Sequence, residues 1–316
     1  MRVSLGWMVA AVATGLGIGV TGVVAQAPTI ERPSIVTTTQ VLGSVVRELV
    51  ADQADVTVLM DAGADEHTWQ PSARDSETLF GADLIVANGL DLEEGLVRLL
   101  AEAEASGVPV FRATDHVAVR QATDEGHETA ADDEHADDEH AETDHEQGPA
   151  DPHFWLDPLA MRDAVLALGS ALDIAGVDAT AATAAMAAEL VALDAEIEAL
   201  LAPIPPGDRR LVTGHGALGY FADRYGFDVV GTVIPGLSTS DEPSARDIAD
   251  LLDAIRASGA RVLVSDLTTP PSVAGAVAGE GGLRLVEVQV AQPPESGGYA
   301  ELLRTLATSI AGALTS

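Results

Sequence analysis

The sequence predicts an α/β protein of two lobes, each a mainly parallel sheet flanked by helices, with one long helix joining them. Three observations carry this. From Pro33 onward, short β-branched runs alternate with longer helical patterns, as in parallel strands covered on both faces. The alternation stops in mid-chain and begins again after Pro206. Between the two series, Asp178 to Ala202 contains neither Gly nor Pro.

In the first series, 35–39, 56–60, 82–87 and 108–112 read as strands, and 41–51, 72–80 and 92–106 as helices, the last stopped by Gly107. The span 159–175 reads as a helix ending at Gly176. The Ala-, Glu- and Leu-rich span 178–202 makes a strong helix of about seven turns, stopped by Pro203, Pro205 and Pro206. In the second series the strands are 210–213, 228–234, 261–265 and 283–288, with helices over 216–225, 244–258, 272–279 and 299–314. The expected organisation is a lobe over 28–175, a linker helix over 176–203 and a second lobe over 204–316.

Composition narrows the function. A chain of 316 residues, 47% of them hydrophobic, has the material for two cores. The net charge of -34 excludes nucleic acid, whose phosphates need Lys and Arg, and anionic membrane surfaces. It suits a cationic ligand. With no cysteine, disulfides, thiolate metal sites, thiol catalysis and a lipid-modified N-terminal cysteine are all ruled out. Arg2, an apolar run over 7–25 and the small-x-small sequence Ala25-Gln26-Ala27 make residues 1–27 a signal peptide or an uncleaved anchor. Either reading exports the body of the protein.

Histidine placement is the most informative feature. Four of the eight lie in an acidic tract over 123–147, at His127, His135, His140 and His145. There Ala131-Asp132-Asp133-Glu134-His135 repeats as Ala136-Asp137-Asp138-Glu139-His140. So few apolar groups cannot offset ordering entropy, so a mobile loop is expected. The composition points to weak metal capture, against the plainer reading of a solvated acidic loop.

The other four are His67, His116, His153 and His215. His67 follows the second strand and His215 the first strand of the second series, and ligands of α/β sheets collect beyond the carboxyl ends of strands. His153 is held in Asp151-Pro152-His153-Phe154-Trp155-Leu156-Asp157-Pro158, where two prolines stiffen the backbone. His116 has no such setting and reads as a surface residue. Three neutral imidazoles and an oxygen donor suit tetrahedral Zn²⁺. Imidazole ligates only when neutral, so acidification toward the ordinary histidine range should weaken binding.

These motifs together resemble the solute-binding proteins of zinc and manganese ABC transporters. The resemblance rests on Gly63-Ala64-Asp65-Glu66-His67 with Gln70-Pro71 and Arg74-Asp75, on 82–89, on Asp151 to Pro158, on 215–227 and on Glu242-Pro243-Ser244. It covers essentially everything after the signal segment. It implies two α/β lobes joined by one long rigid helix, with metal in the cleft. By that resemblance His67, His153 and His215 are the metal ligands. Glu66 matches the Glu that zinc-type members often carry before the first histidine. Gln289 stands near the position where many members have a ligating Asp, which leaves Glu66 or a water as fourth donor. The set favours Zn²⁺, with Mn²⁺ as the alternative. The implied partner is an ABC permease in the membrane; the expected protein is a periplasmic or cell-surface monomer and not an enzyme. Ser238 to Ser244, with Asp241 and Glu242, reads either as cleft-edge contacts or as an ordinary loop and helix cap. Rival functions are a secreted zinc hydrolase, which lacks a His-Glu-x-x-His helix here, and a surface adhesin or metal store.

Overall fold

The first sheet consists of β1 (Ser34–Thr37), β2 (Asp55–Val58), β3 (Leu84–Ala87) and β4 (Val110–Arg112), all parallel and ordered β2-β1-β3-β4. These strands belong to a computed structural model that describes residues 32–122 and 148–315. The segments 1–27 and 123–147, with the signal and the four loop histidines, lie outside the described residues. The second sheet repeats the order as β6-β5-β7-β8, from β5 (Arg210–Thr213), β6 (Asp228–Thr232), β7 (Val262–Ser265) and β8 (Arg284–Glu287). Each sheet therefore reverses its winding direction once, between its first and third strands. That switch opens a crevice at the carboxyl ends.

Local signals set the helix starts. In α1 (Gln40–Val50) the Thr39 side chain accepts from the Leu42 amide. In α2 (Ala73–Phe80), Ser72 and Asp75 form a reciprocal capping box, satisfying amide donors that the first turn leaves free. The span expected as one helix from residue 92 is instead a 3₁₀ turn over Glu94–Leu96 followed by α3 (Val97–Ala105). The chain enters that turn through Leu90 and Asp91, both at positive φ (52° and 54°).

Next come α4 (Pro158–Ile174) and α5 (Thr180–Leu201). At 22 residues α5 has about six turns, shorter than the sequence suggested. Its start moves inward because the Asp178 carboxylate accepts from the Thr180 amide (3.3 Å). It is not a free strut: it lies along α4 and also packs on α1 and on the last helix. After β5, a 3₁₀ turn over Gly216–Leu218 precedes α6 (Gly219–Tyr225). Then follow α7 (Ala245–Ser258), capped by Ser244 and Asp247, α8 (Pro271–Gly281) and α9 (Gly298–Thr315).

Strand alternation sends successive residues to opposite faces. Ile35 and Leu211 enter one continuous buried cluster with Leu49, Leu168, Leu193 and Leu303. Their neighbours Val36 and Val212 enter separate clusters on the outer faces of the two sheets. The inner faces of both sheets thus share one core, built around α1, α4, α5 and α9. Among the described residues, no helix is long and apolar enough to cross a membrane.

Candidate metal centre

His67, His153 and His215 come together. Their candidate ligand atoms all lie within 4.8 Å of one another, and the rings are 5, 2 and 4% exposed. Ring centroids stand 5.3 to 5.8 Å apart. His67 lies in the loop after β2, His215 at the end of β5, and His153 just before the 3₁₀ turn Phe154–Leu156 that feeds α4. That turn is fixed from the second lobe: the Trp155 indole donates to the Val290 carbonyl (2.8 Å) and the Tyr299 hydroxyl to the Trp155 carbonyl (2.7 Å).

The Nε2 atoms of His67 and His153 face each other at 3.3 Å. Asp151 Oδ1 lies 2.8 Å from His153 Nδ1 and also accepts the His153 amide (2.9 Å). A carboxylate can only accept, so it puts the His153 proton on Nδ1 and leaves the Nε2 lone pair turned inward. Two nitrogens on one tetrahedral Zn²⁺, each at about 2.0–2.1 Å, would be about 3.3–3.4 Å apart. The observed separation fits that geometry.

Each ring has a carboxylate beyond its Nδ1: Asp151 for His153, Asp266 Oδ2 at 3.5 Å for His215, and Glu94 Oε1 at 3.7 Å for His67. Of the three, only Asp151 is hydrogen-bonded to its ring, and such a partner orients a ligating imidazole and raises its basicity. Asp266 is itself held by the Thr268 hydroxyl (2.6 Å) and amide (3.1 Å). His215 and Asp266 close the ends of β5 and β7, on either side of the second sheet's switch point.

Burial pushes the His67 imidazole down to about 3, and the neighbouring His153 and His215 rings push the same way. Burial also lowers His215 to about 4, against the upward pull of Asp266. Both rings are therefore neutral, ligand-ready bases at pH 7. The sequence reading expected proton competition in the ordinary histidine range. For these two rings the structure moves it well into acid.

Glu66 is buried and lines the same cavity, but it is not among the side chains whose ligand atoms cluster. Burial raises its carboxyl to about 8, with Asp65, Asp266 and Glu93 adding repulsion. Gln289 also lines the cavity. His116 is exposed, its ring stacked on Phe111 at 4.7 Å. Ser244 is the cap of α7, while Ser238 and Thr239 bond across the cleft to Glu94 and Asp65. Both readings of that stretch therefore hold, for different residues. Asp151 is visible in the sequence only as part of the stiff segment around His153, and Glu94 has no signal of its own. Asp266 follows a strand end, where the position rule would have marked it.

Residues 35–313 match the family described as zinc-uptake complex component A, periplasmic. The high-affinity zinc uptake system protein ZnuA of Paracoccus denitrificans is 31% identical over 309 residues, 90% of this chain and 92% of that one. The zinc-binding protein TroA of Treponema pallidum is 30% identical over 224 residues, 70% of this chain and 65% of its own length. The solved TroA structure superposes with a TM-score of 0.75 at 24% identity, covering 90% of this chain and all of that one; the two-lobed fold is shared. The manganese-binding lipoprotein MntA of Halalkalibacterium halodurans is 27% identical over 254 residues, 79% of this chain and 75% of that one.

Proposed function

The chain belongs to the family of periplasmic zinc-uptake complex component A, and on that premise we propose that it captures Zn²⁺ between its lobes and delivers it to an ABC permease. The observation that carries this is the buried trio of His67, His153 and His215 with the Nε2 atoms of His67 and His153 converging at 3.3 Å. With the His153 proton on Nδ1, a cation would take the His153 Nε2 lone pair and select the His67 tautomer that offers a second one.

A nitrogen-rich set favours zinc over manganese, a harder ion that takes more carboxylate and water; Mn²⁺ is the second reading, favoured by the MntA likeness. Glu66 or a water completes the sphere. If Glu66 ligates, it gives up its proton to the solvent as the metal enters. His127, His135, His140 and His145 serve as a weak collector that raises the local metal concentration. The protein acts outside the cytoplasm, as a monomer and without a lipid anchor on cysteine. It is a carrier and not a catalyst: rings only 2 to 5% exposed suit an ion as cargo. X-ray absorption at the zinc edge of the loaded protein tests the assignment. Three imidazole scatterers at about 2.0–2.1 Å are expected, and a first shell dominated by oxygen would overturn it.

A further inference from the structure

Asp65 holds His67 by a hydrogen bond and Glu94 stands beside its ring, and both carboxylates are gripped from the opposite lobe. The His67 amide donates to Asp65 Oδ1 (3.0 Å), while the other oxygen of Asp65 accepts from the Thr239 hydroxyl (2.6 Å). Glu94 Oε1, 3.7 Å from His67 Nδ1, accepts from the Ser238 hydroxyl (2.6 Å). The Ser240 amide donates to Ser238 Oγ (3.1 Å), so the Ser238 oxygen is already oriented with its proton toward Glu94. Ser238 and Thr239 sit in the loop between β6 and α7 of the second lobe, whereas Asp65, His67 and Glu94 all belong to the first.

We propose that Ser238 and Thr239 form a cross-cleft latch that keeps His67 in its ligating position through Asp65 and Glu94. Hydroxyl-to-carboxylate bonds are charge-assisted and short, yet both hydroxyls lie near the rim of the cleft, where a small parting of the lobes breaks them. The other two histidines do not depend on this edge. His153 is oriented by Asp151 from its own segment, and His215 by Asp266 from its own lobe. Parting the lobes at the 238–240 loop therefore loosens His67 first and leaves a two-histidine site that holds the ion weakly. Release is coupled to lobe separation by two positioning residues that never touch the ion.

The metal part of this inference rests on the zinc-capture reading; the latch itself does not, and the test separates them. Zinc dissociation into excess chelator is followed by stopped flow for the wild type, for the Ser238→Ala/Thr239→Val double variant and for Thr239→Ser. Glu242→Gln, on the same loop, serves as control. Amide exchange at His67 is measured in the metal-free forms of the same proteins. The double variant should release zinc about tenfold faster, the lower end of what losing outer-shell support costs, with little change in association rate. Thr239→Ser should restore the wild-type rate, and Glu242→Gln should match it. The His67 amide should exchange faster in the double variant even without metal. Unchanged dissociation and unchanged exchange, at unchanged melting temperature, would overturn the latch. A wild-type protein that binds no zinc, with faster His67 exchange in the variant, would overturn the metal reading and leave the latch standing.

Discussion

His67, His153 and His215 are supported unequally, and the inequality sets what substitutions should do. His153 has the closest carboxylate, with Asp151 at 2.8 Å. Replacing Asp151 by Ala should weaken zinc binding by about 10–100-fold, while removing any one of the three rings should cost more; calorimetry on the variants checks both. Glu66 is a proton-linked residue close to neutrality. Its carboxyl has an ordinary value of 4.5 and stands at about 8 in the fold, so the folded state holds a proton that the unfolded state has lost. That contribution is fully present below 4.5 and is lost as pH rises through 8. From about pH 7.5 to 8.5, above the ordinary histidine value of 6.5 so that His67 and His215 are largely neutral in both states, the metal-free protein should become less stable. Glu66→Gln should flatten this slope, read as urea midpoints across the window. The convergence of His67, His153 and His215 was legible because so few histidines stand outside the acidic tract and each sits at a strand end or between prolines. The long-range pairing of ring with carboxylate was not, because His215 and Asp266 stand 51 positions apart (266 − 215) and meet only when β5 and β7 lie side by side.

The helices and strands were legible wherever Gly, Pro or a capping residue marked their ends. Ser72 and Ser244 begin α2 and α7 as side-chain caps, and Gly259 ends α7 in the left-handed conformation at φ 73°. The 3₁₀ turns were missed because tertiary packing imposes them. A Cβ on Gly95 would run into the Trp69 carbonyl, and the Gly216 amide is drawn to the Gly236 carbonyl (2.9 Å). The glycine beside His215 has a similar reason. A Cβ on Gly214 would collide with the Thr269 hydroxyl, which itself lies 3.3 Å from Asp266. Gly214→Ala should therefore cost about 1–3 kcal/mol of stability. It should also weaken zinc binding by displacing His215 from Asp266; thermal unfolding and calorimetry read the two effects separately.

The two lobes of the whole molecule are told apart by their sheets and not by their interiors. One buried cluster runs from Ile35 in β1 through Leu193 in α5 to Leu211 in β5 and Leu303 in α9. The sequence showed two α/β series and the helix between them, but not this shared core, because amphipathic periodicity marks which face is buried without saying against what. With the inner faces fused, the metal-free protein should unfold in a single thermal transition by calorimetry; two resolved transitions would contradict the shared core. Outside this fused core the lobes also meet at the cleft edge, through the polar contacts of Thr239 and Ser238. The central claim is that the cleft histidines, and not the acidic tract, make the tight site. Zinc titration calorimetry on the metal-stripped protein from Pro28 onward, with and without residues 123–147 and with manganese in competition, tests it most directly. One tight zinc site that survives both the deletion and the manganese is the predicted result; loss of all tight binding with the tract, or displacement of zinc by manganese, would contradict it.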